Sequence, residues 1–222
     1  MKSKILFVII AVVSLMPLLL RRKKYDIGVT KTIISLIYVA AFGALGTYIM
    51  FFIESGRWGG TSFYGTVFII PLSLFFFSFI AKEKYTKLLD FFVPELCLAL
   101  GMAKVLCLLN VCCNGFILYR EPDGTIVRFP SQIIEMSVAL SLMILFLYFE
   151  HKGLFKDRFY PLFFVIYGSL RFVVNFFRDD LSAFVWILPS GHFWSIVAII
   201  IGLLWLALGY RNKDKSITAQ TK

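Results

Sequence analysis

The residues best placed to do chemistry in this chain stand inside its most apolar stretches. Within YGSLRFVVNFFRDD, residues 167–180, Arg171 and Asn175 interrupt a run that is otherwise almost entirely aromatic or aliphatic through Phe177. At about 100° per residue, Tyr167, Arg171, Asn175 and Arg178 fall within roughly 80° of one another on a helix, while Phe172, Val173, Phe176 and Phe177 point elsewhere. One face is polar and the rest is suited to lipid. Lys104 lies inside a second apolar run, and Gln132 and Glu135, one turn apart, open a third. An ionisable group at the centre of a membrane helix costs roughly 2.5–3.5 kcal/mol on insertion scales. Two cations at such depth therefore imply that something anionic meets them. For Arg171 the partner is an anionic ligand or, alternatively, Glu135 or a helix carbonyl. For Lys104 the alternative is snorkelling to an interface.

The elements that position these groups follow from composition. Of the 222 residues 59% are hydrophobic and 16% charged, 25 are Phe, and mean hydropathy is +0.84, values that exclude an ordinary soluble domain. Seven runs are long enough to cross a hydrocarbon core of about 30 Å: about 5–20, 33–53, 65–81, 88–109, 132–149, 159–177 and 193–210. The expected fold is an all-α integral membrane protein, a seven-transmembrane helical bundle in one domain over 1–222. The run at 5–20 leads into Arg21-Arg22-Lys23-Lys24 without a small-residue cleavage site, so it reads as the first helix and not as a removed leader.

Charge orients the bundle. Alternate connections and the C-terminal tail, 21–31, 82–87, 152–158 and 211–222, hold fifteen Lys and Arg, whereas the N-terminus and the other connections hold six. The positive-inside rule then sets the N-terminus outside and the C-terminus in the cytosol. The net charge of +10 is mostly juxtamembrane, suited to anionic lipid headgroups, and gives no reason to invoke nucleic acid. On this topology Lys104, Asn110, Gln132, Glu135, Arg171 and Asn175 all lie in outer halves of their helices and can converge on one cavity.

The motifs resemble, in order and spacing, those of the prolipoprotein diacylglyceryl transferase family. They are GGTSFYG (59–65), GMAK (101–104) with LNVCCNG (109–115), PSQIIE (130–135), YGSLRFVVNFFRDD, and SGHFWS (190–195), together spanning about 59–196. The resemblance implies a multi-pass protein of the bacterial cytoplasmic (inner) membrane. It also implies transfer of the diacylglyceryl group of phosphatidylglycerol to the thiol of a lipobox cysteine in a preprolipoprotein. A thioether forms and glycerol phosphate leaves. No cofactor and no metal are expected.

By that resemblance the catalytic candidates are Tyr64, Lys104, Arg171 and His192, and the substrate-binding candidates are Asn110, Gly115, Gln132, Glu135, Tyr167 and Asn175. Arg171 suits the phosphate because a guanidinium grips it with two parallel hydrogen bonds. At position 104 the family usually has arginine; lysine keeps the charge and loses the fork. Tyr64 matches a His or Tyr position associated with deprotonating the thiol. A phenol is a poor base near neutral pH and is better suited to orienting a phosphate. Glycines 59, 60 and 65 permit a tight turn or close approach of lipid. Ser131 is read as capping the helix that carries Glu135. The largest departure is Asn175, where the family usually has glutamate four residues after the arginine; Glu135 is the expected substitute. His192 stands where glutamine is usual, and its ordinary pKa suits it to accept a thiol proton.

Two other functions fit the same residues. A non-catalytic protein that binds or transports anionic lipid would keep the cations. A membrane thiol-redox protein would use Cys107, Cys112 and Cys113, which cluster near the end of the fourth run.

Overall fold

The computed structural model of the chain describes residues 13, 16–110, 113–179, 183–185 and 188–220. Six helices organise them: α1 (Val29–Ser55), α2 (Phe63–Ala81), α3 (Tyr85–Leu109), α4 (Ser131–Lys152), α5 (Phe159–Asn175) and α6 (Ser190–Gln220). Residues 16–21 are also helical; most of the run at 5–20 lies outside the described residues. Among the described residues, five helices are long and apolar enough to cross a membrane. The sixth apolar helix, α5, has 17 residues.

Apart from α5, which stops at Asn175 short of its run, the helices extend beyond the hydropathic runs because backbone hydrogen bonding continues where side chains turn polar. The largest extension is in α6, which runs on to Gln220. At the other end of the chain's interior, α4 begins differently from expectation. Pro130 is its N-cap and Ser131 is its first helical residue. The Ser131 hydroxyl donates to the Cys113 carbonyl at 2.9 Å and does not cap the helix. Proline fixes φ and has no amide hydrogen, so it suits the start of a helix.

The fold is not purely helical. Antiparallel β1 (Ile117–Arg120) and β2 (Ile126–Arg128) form a hairpin between α3 and α4, and β3 (Ala183–Val185) pairs with β4 (Leu188–Pro189) before α6. The first hairpin turns at Asp123-Gly124, with Gly124 at φ 88° and the Asp123 carboxylate accepting from Thr125 N at 2.9 Å. That Pro-Asp-Gly turn chemistry is legible in the sequence.

The core is aromatic and aliphatic: Phe91, Phe146, Phe159, Phe163, Phe164 and Tyr160 are all buried. At the helix ends farthest from Lys104 and Arg171, polar staples bind the connections together. Arg21 donates to Glu150 at 2.5 Å and to the Phe91 carbonyl at 2.8 Å. Glu83 takes Lys31 at 2.6 Å and Lys87 at 2.7 Å. Those two lysines hold its carboxyl below the usual range. These fixed ends orient the opposite ends of the helices, where the polar intramembrane groups lie.

One sequence expectation changes in meaning. Gly65 serves helix packing: a Cβ there would sit 1.9 Å from the Gly46 carbonyl oxygen, and one on Gly46 would sit 2.6 Å from that of Gly65. Small residues let membrane helices touch through their backbones. Gly65→Ala is therefore expected to push α1 away from α2 and lower the apparent Tm of the detergent-solubilised protein by several degrees. Wild-type stability of that variant in a thermal-shift assay would contradict the packing.

A candidate anion site built on Glu135

Five helices deliver the candidate side chains. Tyr64 lies in the first turn of α2, Lys104 near the end of α3, Glu135 in the second turn of α4, Tyr167, Arg171 and Asn175 along α5, and His192 and Ser195 in the first turns of α6. Arg178 follows α5 in a turn that continues the helical direction, with Phe176 N, Phe177 N and Arg178 N donating back to carbonyls three residues earlier.

Glu135 is the hub. Its Oε2 pairs with Lys104 Nζ at 2.5 Å and with the Arg171 guanidinium, and its Oε1 accepts from Arg178 at 3.1 Å. Lys104, Glu135 and Arg178 are buried to within 5%, 7% and 8% exposure, so water screens this cluster little. Three positive side chains against one carboxylate leave two net positive charges inside the protein. Lys104 also lies 5.0 Å from the centre of the Phe63 ring, a cation–π contact. It is buried rather than snorkelled, and Glu135 takes the counter-charge role that Asn175 cannot fill.

Lys104, Glu135, Tyr167 and Arg171 together line one cavity of about 20 Å³, with Leu100, Val138 and Val174 on its walls. Leu100 also lines a far larger groove of about 520 Å³ between α1, α2 and α3. That groove is mainly apolar and carries Phe63, Thr66, Phe92, Leu96, Cys107 and Asn110. The polar cluster thus adjoins a space suited to hydrocarbon.

Tyr64 forms the other side. Its hydroxyl shares a 2.5 Å hydrogen bond with Ser195 Oγ and lies 3.1 Å from the Gly191 carbonyl, while Ser195 Oγ donates to the same carbonyl at 2.7 Å. Arg171 and Asn175 lie beside the phenol. Asn175 Nδ2 has no hydrogen-bond partner among the described residues. His192 is 5% exposed and packs edge-on against Phe172 and Phe176, at 5.1 and 4.6 Å between centroids. Neither of its ring nitrogens has a hydrogen-bond partner among the described residues.

The remaining candidates frame the site. Gln132 donates to Asn114 Oδ1 at 2.9 Å. Asn110 ends α3, exposed, at the mouth of the apolar groove. Gly115 bridges the backbone of Arg178, and a Cβ on it would sit 2.4 Å from the Phe129 carbonyl and 2.9 Å from that of Phe177. Its missing side chain lets the hairpin base and the Arg178 segment meet. The Phe129 and Phe177 rings then stack at 4.8 Å, and Arg128 pairs with Asp179 at 2.5 Å. These contacts aim Arg178 at Glu135.

Sequence reasoning saw Arg178 on the polar face of the helix but gave it no role. It missed Ser195, whose only signal is a serine four residues after Gly191 in an apolar helix, and it passed over Asn114.

Apolar membrane-length helices around a buried polar cluster of three cations on one carboxylate define a multi-pass membrane protein with an internal charged site. Comparison with known proteins makes this specific: the family described as Prolipoprotein diacylglyceryl transferase matches residues 5–208, and the chain belongs to that family. Similar proteins include a phosphatidylglycerol–prolipoprotein diacylglyceryl transferase of Clostridium tetani, 28% identical over 154 residues, which are 65% of this chain and 62% of that protein. Phosphatidylglycerol–prolipoprotein diacylglyceryl transferase 2 of Clostridium perfringens is 30% identical over 156 residues, 65% of this chain and 60% of its own. The Teredinibacter turnerae protein with the first of these names is 26% identical over 171 residues, 69% and 58%. The chain thus spans about 60% of the length of the curated relatives it matches.

Proposed function

We propose that this protein transfers the diacylglyceryl group of phosphatidylglycerol to the thiol of a lipobox cysteine in a preprolipoprotein, within the bacterial cytoplasmic membrane. The observation that carries the reading is the meeting of Lys104, Arg171 and Arg178 on a single carboxylate. Phosphatidylglycerol is a phosphodiester with one negative charge. The sulfur attacks the glyceryl carbon that bears the phosphate, the carbon–oxygen bond breaks, and the departing glycerol phosphate gains charge toward −2. A site with two net positive charges is more complementary to the departing group than to the bound lipid, and this difference accelerates the step.

In this reading the guanidinium of Arg171 grips the phosphate, Lys104 acts on it as a point charge, and Arg178 adds a third donor set. Glu135 orients all three cations. Tyr64, held by Ser195 and Gly191, orients the headgroup beside Arg171. His192 takes the thiol proton; support for this is its pair of ring nitrogens without hydrogen-bond partners among the described residues. Asn110, Gly115, Gln132, Tyr167 and Asn175 shape the substrate site. The acyl chains occupy the apolar groove that shares Leu100 with the cation cavity.

The reading includes seven spans in a single domain with the N-terminus outside. Labelling of Arg57→Cys and Asp123→Cys from the outer face, and of Lys84→Cys only from the cytosolic face, is expected; the reverse pattern would overturn the orientation.

Mass analysis of purified protein with phosphatidylglycerol and a lipobox peptide tests the activity itself. A thioether-linked diacylglyceryl peptide with released glycerol phosphate is expected, and bound lipid with no product would assign a lipid-binding protein instead. Lys104→Arg should retain or raise turnover, since the longer fork keeps the charge and adds a second hydrogen bond. A dead Lys104→Arg protein would argue against a phosphate-binding role for that cation.

A further inference from the structure

We propose that Glu95 forms a hydrogen-bonding subsite inside the apolar groove, which takes a hydroxyl group carried about halfway along a lipid acyl chain. The subsite rests on the reading that the chains of phosphatidylglycerol lie in that groove. Glu95 stands ten residues from the start of α3 and fourteen from its end, far from both membrane surfaces. It is 5% exposed and belongs to the groove wall. On the helix it shares a face with Ala99, Ala103 and Leu106, apolar side chains that line the same space. A carboxyl at this depth carries an insertion penalty, and intramembrane acids typically mark the path of a ligand or ion.

Glu95 is the one carboxyl among the described lining residues. Two other polar side chains of the wall are turned to the backbone: Thr47 Oγ1 donates to the Ala44 carbonyl at 2.7 Å and Thr66 Oγ1 to the Gly43 carbonyl at 3.2 Å. A carboxyl offers two oxygens with about four acceptor positions, and a donor as well when protonated, so a contact with the protein leaves capacity for a ligand. A hydroxyl serves either form of the acid, donating to the ionised group and both donating to and accepting from the neutral one. An ammonium would suit only the ionised form, and a charged chain would not partition into so apolar a space.

The position along the chain follows from geometry. Nine residues separate Glu95 from Lys104, about 13–14 Å along the axis at about 1.5 Å per residue. With the phosphate at Lys104, the glyceryl and ester atoms take up about 5 Å of that length, and an extended chain advances a little over about 1 Å per carbon, given C–C bonds of about 1.5 Å. The carboxyl therefore stands beside roughly the seventh to tenth carbon. Leu100 lines both the cation cavity and the groove, so headgroup and chain can occupy the two spaces at once. A hydroxyl at that point gains one hydrogen bond that a methylene cannot make, a preference of roughly three- to tenfold.

The test is native mass spectrometry of the detergent-solubilised full chain with phosphatidylglycerol carrying a 9-hydroxystearoyl, a 17-hydroxystearoyl or a plain stearoyl chain. Wild type should bind the 9-hydroxy lipid roughly three- to tenfold more tightly than the other two. Glu95→Gln, which keeps a donor and an acceptor, should retain that preference, and Glu95→Leu should lose it. Equal binding of the 9-hydroxy and 17-hydroxy lipids by wild type overturns the subsite, and that comparison needs no variant to fold. A preference unchanged in folded Glu95→Leu also overturns it. Arg171→Ala separates the subsite from the phosphate contact. If the preference is missing while Arg171→Ala still abolishes binding of every lipid, the subsite falls and the phosphate contact stands; a 9-hydroxy preference that persists in Arg171→Ala at wild-type affinity keeps the subsite and removes the phosphate contact.

Discussion

Glu135→Ala protein is expected to unfold roughly 10 °C below wild type in detergent, and to recover much of that loss when phosphatidylglycerol is added. Removing one partner of a buried ion pair costs about 3–5 kcal/mol because the other charge is left uncompensated. Here three cations lose their common carboxylate at once. For a chain of this size each kcal/mol corresponds to about 2–4 °C in Tm. The rescue is the informative part. An anionic headgroup that binds among Lys104, Arg171 and Arg178 supplies the charge that the variant lacks, whereas a zwitterionic lipid supplies none in net. Equal stabilisation by phosphatidylcholine would show that the cluster does not select an anion. Glu135→Gln, which keeps the shape and loses the charge, should behave the same way with a smaller cavity penalty.

Arg171→Ala should lower turnover by on the order of 10²–10³, the loss typical of removing a donor aimed at developing charge. It should also abolish measurable phosphatidylglycerol binding. Arg171→Lys should recover charge but not the two-point grip, and so should restore binding more fully than rate. The reason is geometric. Arg171 is the residue that joins the two halves of the site, pairing with Glu135 on one side and lying against Tyr64 on the other. A substitution of Tyr64 or Ser195 should be milder, because it removes an orienting hydrogen bond and leaves all three cations in place. Near-normal turnover in Arg171→Ala would contradict the assignment of the phosphate contact.

The helices were legible because hydrocarbon imposes one rule on every crossing segment: backbone groups must be satisfied within it, and side chains must be apolar. Hydropathic runs therefore match α1 to α6 to within a few residues at most ends. The polar face of 167–178 was equally readable, since helical geometry alone places Arg171, Asn175 and Arg178 together. Hydropathy counted Arg178 as a loop residue because the apolar run stops at Phe177. The turn after Asn175 and the backbone bridge to Gly115 instead bring it back to Glu135.

What was not legible depends on contacts between segments far apart in sequence. The sequence offered Glu135 as a partner for Arg171, but nothing in PSQIIE reveals that it also gathers Lys104 from α3 and Arg178 from beyond α5. Ser195 is chemically quiet as a sequence feature and matters only because Tyr64, 131 positions away, reaches it. Gly65 invited a lipid-facing reading since it neighbours Tyr64, but the close partner is the Gly46 backbone. The hairpin at 117–128 was available from Pro122-Asp123-Gly124, and an apolar scan simply does not look for it.

Whether these buried cations hold a phospholipid phosphate can be read from magnetic dephasing between ¹⁵N in arginine and lysine side chains and ³¹P of bound phosphatidylglycerol. Strong dephasing is expected for the Arg171 guanidinium and Lys104 ammonium, consistent with nitrogen to phosphate-oxygen separations of about 2.7–2.9 Å, and in Arg171→Lys the Arg171 contribution alone should be lost while that of Arg178 persists. Lipid that is bound with no phosphorus near either nitrogen would contradict the phosphate contact.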